Sequence, residues 1–233
     1  MKILFTLIIK ELETYINNKS IYIDLIIFSL SLGICVFLKN KNSHFLSDSL
    51  MINIPYLLII IISNFSIAMF IKEKNLFTLE LLRCFPIDED KIVISKFLSA
   101  SIYSNLILIL LIPLMWILFN ENLVAVIYNF IGIYLLTQVF LVIGSFFSSI
   151  CNSHSQAFII SIFTSFFLYN AQSISIVFNV NEYLSNLLNT ISLKTHYLHI
   201  INEINFISSC LYLLSLTFLF LYFTTQSFKQ KQK

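Results

Sequence analysis

Long apolar segments, separated by short polar ones, make up most of this chain. Six of them are long enough to cross a membrane, since a spanning helix needs about 20 mostly apolar residues. These segments cover residues 21–38, 51–71, 97–119, 123–150, 157–179 and 205–224. The pattern predicts an all-α, polytopic membrane protein whose six transmembrane helices form a single domain over residues 1–233.

The first 17 residues follow a different pattern, in which apolar and polar positions share one helix. Leu4, Ile8 and Leu12 recur at helical spacing, whereas Lys10 and Glu13 lie mostly on the other side. A helix of this kind lies on the membrane surface with its apolar side toward the hydrocarbon. We therefore expect an N-terminal amphipathic helix ahead of the first span.

The composition of the chain supports a membrane location. Hydrophobic residues make up 58% of its 233 residues and charged residues only 11%, whereas soluble domains usually carry roughly 25% charge. The net charge of +2 is small and the basic residues are scattered, so the sequence predicts no nucleic-acid partner. We therefore expect the apolar segments of the chain to contact membrane lipid.

The basic residues between the spans predict the orientation of the chain. Because lysine and arginine accumulate on the cytoplasmic side of a membrane, both termini and the loop 72–96 are predicted to be cytoplasmic. That side carries Lys2, Lys10, Lys19, Lys72, Lys74, Arg83, Lys91, Lys96, Lys229, Lys231 and Lys233. The other side carries Lys39, Lys41 and Lys194.

The sequence lacks motifs for nucleotide binding and for catalysis. Gly33, Gly132 and Gly144 are its only glycines, and none belongs to a phosphate-binding loop or a dinucleotide fingerprint. A nucleophile elbow and a zinc-protease motif are also missing. We therefore expect the chain not to be an enzyme, to have no catalytic residue and to bind no cofactor itself.

His196, His199 and Glu203 are the closest approach to a metal site. Their spacing would place them on one side of a helix, but three such ligands are a weak zinc signal. A surface helix with its polar residues toward water explains them equally well. The second interpretation is favoured, so no metal site is predicted.

Uncharged polar side chains occur within several spans, and four of them share one helical face of the fifth span. They are Ser161, Thr164, Ser165 and Gln172. Hydrogen bonding between packed helices is the favoured interpretation of such residues. A face that contacts a transported substrate is the alternative.

The loop 72–96 contains a short segment with its own helical pattern. Thr78 can cap a helix whose leucines alternate with Glu80 and Arg83, and which ends before Pro86. Such a helix is too short to cross a membrane. Its charged surface with an apolar edge suits docking into a groove of a cytoplasmic partner.

Several short motifs lie along the chain in a fixed order. They are Lys10-Glu11-Leu12 with Tyr15, Lys72-Glu73-Lys74, Thr78-Leu79-Glu80-Leu81-Leu82, Pro86, Ile92-Val93, Lys96-Phe97-Leu98 and Gly144-Ser145-Phe146-Phe147-Ser148-Ser149. In this order they resemble the membrane subunits of type-2 ATP-binding-cassette (ABC) transporters, in particular the gliding-motility-type permeases. The first motif is similar to the family's cytoplasmic elbow helix. The resemblance covers nearly the whole chain.

The resemblance implies a permease subunit of an exporter in the bacterial cytoplasmic membrane. A separate cytoplasmic ABC ATPase subunit would hydrolyse ATP, and the helix in the loop 72–96 would transmit its closure to the spans. Since six spans are half of the usual complement, a second permease copy or a paralogue is expected. The implied ATPase interface consists of Glu73, Thr78, Glu80, Leu81, Arg83 and Pro86.

A stand-alone secondary carrier or a membrane scaffold is the alternative. A carrier usually consists of two related halves with broken helices at corresponding positions. Pro55 and Pro113 are the only prolines within the predicted spans, and no matching halves surround them. The permease interpretation is therefore favoured.

Overall fold

The computed structural model describes residues 2–17, 22, 26–30, 33, 45–76, 88–109, 111–118, 123–178 and 181–230. Within these residues the regular structure is helical, without strands, so the all-α prediction is confirmed for this part of the chain. Residues 26–30 form a short helical segment. The other helices are α1 (Lys2–Ile16), α2 (Phe45–Asn75), α3 (Glu89–Ile109), α4 (Leu111–Leu118), α5 (Leu123–Ile150), α6 (His154–Tyr169), α7 (Ala171–Val177), α8 (Glu182–Ile191), α9 (Leu193–Ile201) and α10 (Phe206–Gln230).

Four helical stretches in the described residues are long and apolar enough to cross a membrane. They are Asn53–Asn75 in α2, Glu89–Pro113 over α3 and the start of α4, Leu123–Ile150 in α5 and Phe206–Gln230 in α10. Each of these four overlaps one of the predicted spans, and Glu89–Pro113 begins and ends earlier than the predicted span 97–119. The predicted first span, 21–38, lies largely outside the described residues, so six spans remain a prediction.

The predicted fifth span, 157–179, is divided in the structure. Its first part, α6, has 16 residues and is therefore about 24 Å long, short of a hydrocarbon core. The helix ends at Asn170, whose backbone N–H and side-chain Nδ2 both donate to the Phe166 carbonyl. The Asn170 Oδ1 accepts a hydrogen bond from the Tyr56 hydroxyl at 2.6 Å. A side-chain amide that competes for backbone groups explains the interruption.

Helix α5 lies at the centre of the bundle. It contacts α2, α3, α6, α9 and α10, and Leu136, Val139 and Phe140 on it are completely buried. A helix that is apolar on all sides is expected to be enclosed by other helices. The surrounding helices are therefore positioned mainly by their packing against α5.

Small residues allow α2 to approach α5 closely. A Cβ atom placed on Gly144 would lie 1.8 Å from Ser66 Oγ and 2.8 Å from Ser66 Cβ. Glycine at this position of α5 therefore lets the two backbones come together, as small residues do between membrane helices. The Ser66 hydroxyl is satisfied within its own helix by the carbonyl of Ser63.

The bundle has two different ends. We call the end that contains Lys74, Asp90 and Lys229 the charged end, and the end that contains α8 and α9 the opposite end. At the opposite end α9 packs over Gly132 of α5, where a Cβ atom would lie 3.1 Å from the ring of Tyr197. The Tyr197 ring is completely buried. Glu203 and Asn205 form the turn into α10 with φ angles of 59° and 51°.

Candidate functional site

A buried cluster of three charged side chains joins three helices at the charged end. The Lys96 Nζ of α3 lies 2.9 Å from Glu11 Oε1 of α1 and 2.8 Å from Glu73 Oε1 of α2. The Lys96 side chain is only 1% exposed. A buried charge is stable only when it is paired, so these contacts hold α1 and the adjoining ends of α2 and α3 in one arrangement.

Aromatic rings surround this charged cluster. The Phe70 ring centroid lies 5.7 Å from Lys96 Nζ, within the range of a cation–π interaction. The Tyr15 ring lies 4.9 Å from the Phe65 ring, which itself stacks on Tyr103 at 5.1 Å. Burial, and then the nearby Glu11 carboxylate, raise the pKa of Tyr15 well above its usual value. The Tyr15 hydroxyl therefore stays protonated beside the carboxylates.

The orientation of α1 follows from these contacts. Glu11 and Tyr15 are 5% exposed and face the bundle, whereas Phe5, Ile9 and Ile16 are exposed on the other side. The sequence predicts an amphipathic helix here, and the structure contains a helix. The side chains of Glu11 and Tyr15 point toward the bundle because Glu11 pairs with Lys96 and Tyr15 packs against the aromatic rings there.

Lys74 makes a second connection at the charged end. Its Nζ donates three hydrogen bonds to the last carbonyls of α5 and the residue after it: those of Ser148, Ser149 and Cys151, at 2.7, 2.7 and 2.8 Å. The last carbonyls of a helix lack partners within the helix, and a cation there is favoured by the helix dipole. Lys74 therefore fixes the end of α2 to the end of α5.

The start of α3 is connected to the end of α10. Asp90 and Lys229 form an ion pair at 2.8 Å, with both side chains about half exposed. Asp88 forms a second ion pair with Lys91 on the surface, and hydrogen bonding to Lys91 lowers the pKa of Asp88. Exposed ion pairs are screened by solvent and contribute little to stability, so these two pairs orient the helix ends more than they stabilise them.

Most residues of the implied ATPase interface lie outside the described residues. These are Thr78, Glu80, Leu81, Arg83 and Pro86. Glu73 is described, and its carboxylate contacts Lys96 inside the protein. The helices on both sides extend into the predicted loop 72–96, since α2 continues to Asn75 and α3 begins at Glu89. The two helix ends that border the segment 77–87 are thus the ends that Lys74, Lys96 and Asp90 connect to the bundle.

The four candidate substrate-facing residues occupy two helices. Ser161 and Ser165 on α6 are completely buried, and α6 packs against α2 and α5. The Ser161 and Thr164 hydroxyls donate to carbonyls of their own helix. Gln172 lies beyond the interruption at Asn170, on α7. The structure therefore brings Ser161, Thr164 and Ser165 together, two of them in a packed contact, and places Gln172 on the next helix.

His196 has a packing role at the opposite end. Its ring stacks on Tyr212 with centroids 4.0 Å apart, and its Nε2 lies 3.0 Å from the Thr190 carbonyl oxygen. Burial lowers the pKa of His196. Among the described residues, His, Cys, Asp and Glu form no group of three that could hold a metal ion.

Sequence reasoning missed the charged cluster. Glu11, Glu73 and Lys96 each belong to a motif that carries the family resemblance, but their spacing does not indicate a contact. The one local signal is that Lys96 lies beside the predicted start of the third span, where an uncompensated charge is costly. A search for a partner of opposite charge near other span ends would have included Glu73.

The sequence was compared with models of known protein families and with curated proteins, and it matches none of them.

Proposed function

We propose that this chain is the membrane-spanning permease subunit of an ABC exporter, driven by a separate cytoplasmic ATPase subunit. The apolar helices, the motifs shared with type-2 permeases and the concentration of basic residues at one side support this proposal. In this arrangement both termini and the segment 77–87 are cytoplasmic. The observation that carries the proposal is the convergence of connections on the two helix ends that border this segment.

The connections suit the transmission of force from a cytoplasmic partner. A displacement of the segment 77–87 acts on the end of α2 and the start of α3. Lys96 links both ends to α1 through Glu73 and Glu11. A movement at this segment therefore reaches the N-terminal helix without passing through the rest of the bundle.

Two further contacts extend the path to other helices. Lys74 connects α2 to the last turn of the central helix α5, and Asp90 connects α3 to α10. Closure of the ATPase around Thr78, Glu80, Leu81, Arg83 and Pro86 is then coupled to α1, α2, α3, α5 and α10 together. Packed helices of this kind shift between discrete arrangements instead of deforming continuously.

A second permease copy or a paralogue completes the proposed transporter. One side of α10 is apolar and exposed, with Ile207, Leu211 and Phe218 at 73%, 62% and 69% exposure. Lipid or a second permease subunit covers such a surface in a membrane. The transport path would run between the two subunits, and the packed positions of Ser161 and Ser165 favour a role in helix contacts over a substrate-facing one.

Charge reversal in the segment 77–87 tests the proposal. Glu80→Lys and Arg83→Glu change side chains that are predicted to lie outside the hydrocarbon, so membrane insertion is expected to be unchanged. We expect the ATPase activity that co-purifies with each tagged variant to be at least tenfold lower than the activity that co-purifies with the tagged wild-type chain. Lys194→Glu, which reverses a charge on α9 at the opposite end, is the matched control and is expected to retain that activity.

The alternative function gives a different result in the same experiment. A stand-alone carrier or a scaffold requires no ATPase, so none would co-purify with the wild type. Equal ATPase activity in the wild type, both variants and the control would also contradict the proposed interface.

A further inference from the structure

A cavity at the charged end lies between α1 and the last turns of α2. Its volume is about 280 Å³, and its lining includes Lys10, Thr14 and Tyr15 from α1, Met69 and Lys72 from α2, and Leu76 directly after α2. Most of the surface of this cavity is apolar. The cavity is therefore suited to a molecule that has both a charged and an apolar part.

The charges around this cavity do not cancel. The carboxylates of Glu11 and Glu73, which also line it, direct one oxygen each at Lys96 on their inner side. Lys10 and Lys72 are exposed to the surroundings. Lys96 lies behind the two carboxylates and does not line the cavity. When it is counted with the lining, three lysines accompany two carboxylates, and this group of five side chains carries one positive charge that a monoanionic group would neutralise.

The position of α1 places the cavity near the membrane surface. The side of α1 away from the bundle exposes Phe5, Ile9 and Ile16, and an amphipathic helix with such a side lies at the boundary between acyl chains and headgroups. The neighbouring α2 belongs to a stretch long enough to cross a membrane. A ligand would therefore reach the cavity from the headgroup layer.

We infer that this cavity binds an anionic phospholipid. The two exposed ammonium groups, on Lys10 and Lys72, contact the phosphate group, and an acyl chain lies along Met69 and Leu76. Lysine is a common ligand of phosphate, and basic pockets between membrane helices bind anionic headgroups. Free phosphate would gain nothing from the apolar wall, because a charged group loses its hydration there. This inference does not rest on the proposed transport function.

Native mass spectrometry of the full-length protein in mild detergent tests the inference. The protein is mixed with equal amounts of phosphatidylglycerol and phosphatidylcholine, and retained lipid is counted. We expect one phosphatidylglycerol per chain to be retained at least tenfold more often than phosphatidylcholine. Equal retention of the two lipids would overturn the inference.

A double variant assigns the retained lipid to the cavity. Lys10→Gln with Lys72→Gln is expected to reduce phosphatidylglycerol retention about tenfold or more, since each lysine near an anionic lipid contributes roughly fivefold. Lys91→Gln with Lys194→Gln removes the same charge elsewhere and serves as the control. Equal retention in the two double variants would contradict the assignment.

A measurement on the wild type alone tests the inference even if the double variant does not fold. It also distinguishes binding of a lipid from binding of free phosphate. Short-chain phosphatidylglycerol, short-chain phosphatidylcholine and inorganic phosphate are each added to the detergent-solubilised protein, and the unfolding temperature is recorded. The inference predicts that only phosphatidylglycerol raises this temperature by several degrees. An equal rise with inorganic phosphate would overturn it in favour of a phosphate site, and no rise with any of the three would also contradict it.

Discussion

Lys96 and Glu73 lie on different helices, yet Lys96 Nζ and Glu73 Oε1 are 2.8 Å apart, and the Lys96 side chain is only 1% exposed. Glu11 completes the cluster on the other side of the ammonium group, at 2.9 Å. Because an unpaired buried charge is much more costly than a paired one, the integrity of this cluster controls how the three helices meet.

Removal of the shared lysine is expected to destabilise the protein strongly. Lys96→Met leaves the buried Glu11 carboxylate and the partly buried Glu73 carboxylate without their common cation, and breaking a buried ion pair in this way costs about 3–5 kcal/mol. We expect a markedly lower unfolding temperature in detergent and a reduced monodisperse fraction in size-exclusion chromatography.

The triple variant Glu11→Gln, Glu73→Gln, Lys96→Met is the control for this prediction. Replacement of a whole buried ion cluster is often close to neutral, so this variant is expected to recover most of the lost stability. A single Lys96→Met variant as stable as the wild type would contradict the structural role of the cluster.

Gly144→Ala tests the close contact between α2 and α5. The added methyl group meets Ser66 Oγ at 1.8 Å and Ser66 Cβ at 2.8 Å, so the helices must separate or Ser66 must move. Overpacking of this kind costs about 1–3 kcal/mol, more than the roughly 1 kcal/mol that alanine gains over glycine in a helix. The expected result is a lower unfolding temperature, measured in detergent.

Gly33→Ala is the matched control for the Gly144 substitution. Among the residues that the structure describes, no atom lies within 4 Å of a Cβ atom placed on Gly33, so this variant is expected to be as stable as the wild type or slightly more stable. The second variant Ser66→Gly, combined with Gly144→Ala, should restore stability. Failure of this rescue would mean that the contact with Ser66 is not the cause.

The turn before α10 provides a stabilising substitution. Glu203 adopts a φ of 59°, a left-handed conformation that costs roughly 1–2 kcal/mol for residues other than glycine and, to a smaller extent, asparagine. Replacement of Glu203 by glycine removes this conformational cost, but part of the gained stability is offset by the larger backbone entropy of glycine in the unfolded chain. We expect Glu203→Gly to raise the unfolding temperature by a few degrees.

Asn205→Gly is a useful comparison in the same turn. Asn205 has a φ of 51°, but asparagine tolerates this region well. Asn205→Gly is therefore expected to change the unfolding temperature by less than Glu203→Gly does. A larger gain at Asn205 than at Glu203 would contradict this explanation of the turn.

His196 is expected to make the opposite end sensitive to acid. Because burial lowers its pKa in the folded state while an unfolded histidine titrates near 6.5, the unfolded state binds the proton first as the pH falls. The contribution of neutral His196 is therefore complete above about pH 6.5 and is lost as the pH falls toward the lower folded pKa.

The measurement is the unfolding temperature at pH 7.5 and at pH 5.5. We expect a larger drop between these two values in the wild type than in His196→Gln, which keeps a group able to donate to the Thr190 carbonyl but does not titrate. His199 lies near His196, with ring centroids 6.4 Å apart, so His199→Gln serves as the second variant. Identical pH dependence in the wild type and His196→Gln would refute the assignment.

The helical fold was predictable because it follows from apolar segments that the sequence displays directly. The stretch 123–150 is one such segment, and α5 has the same limits. The interruption at Asn170 was not predictable in this way, because asparagine also occurs inside other predicted spans, at Asn64, Asn105 and Asn129. Its effect depends on the Tyr56 hydroxyl, which approaches from a helix more than 100 residues away.

The charged cluster depends still more on the tertiary structure. Glu11 lies on the amphipathic N-terminal helix, where periodicity alone assigns charged residues to the aqueous side. Its burial arises because α1 packs against α3 and Lys96 provides a cation there. A contact between helices far apart in sequence leaves no periodic pattern, so the structure was needed to find it.

Affinity purification of the tagged full-length protein from its native membrane, in mild detergent, tests the central proposal most directly. Mass spectrometry identifies the proteins in the eluate, and an ATPase assay measures their activity. The permease account predicts a P-loop ATPase in stoichiometric amount, together with ATP hydrolysis. Purification of the chain without any ATPase, under conditions that keep other membrane complexes intact, would contradict it.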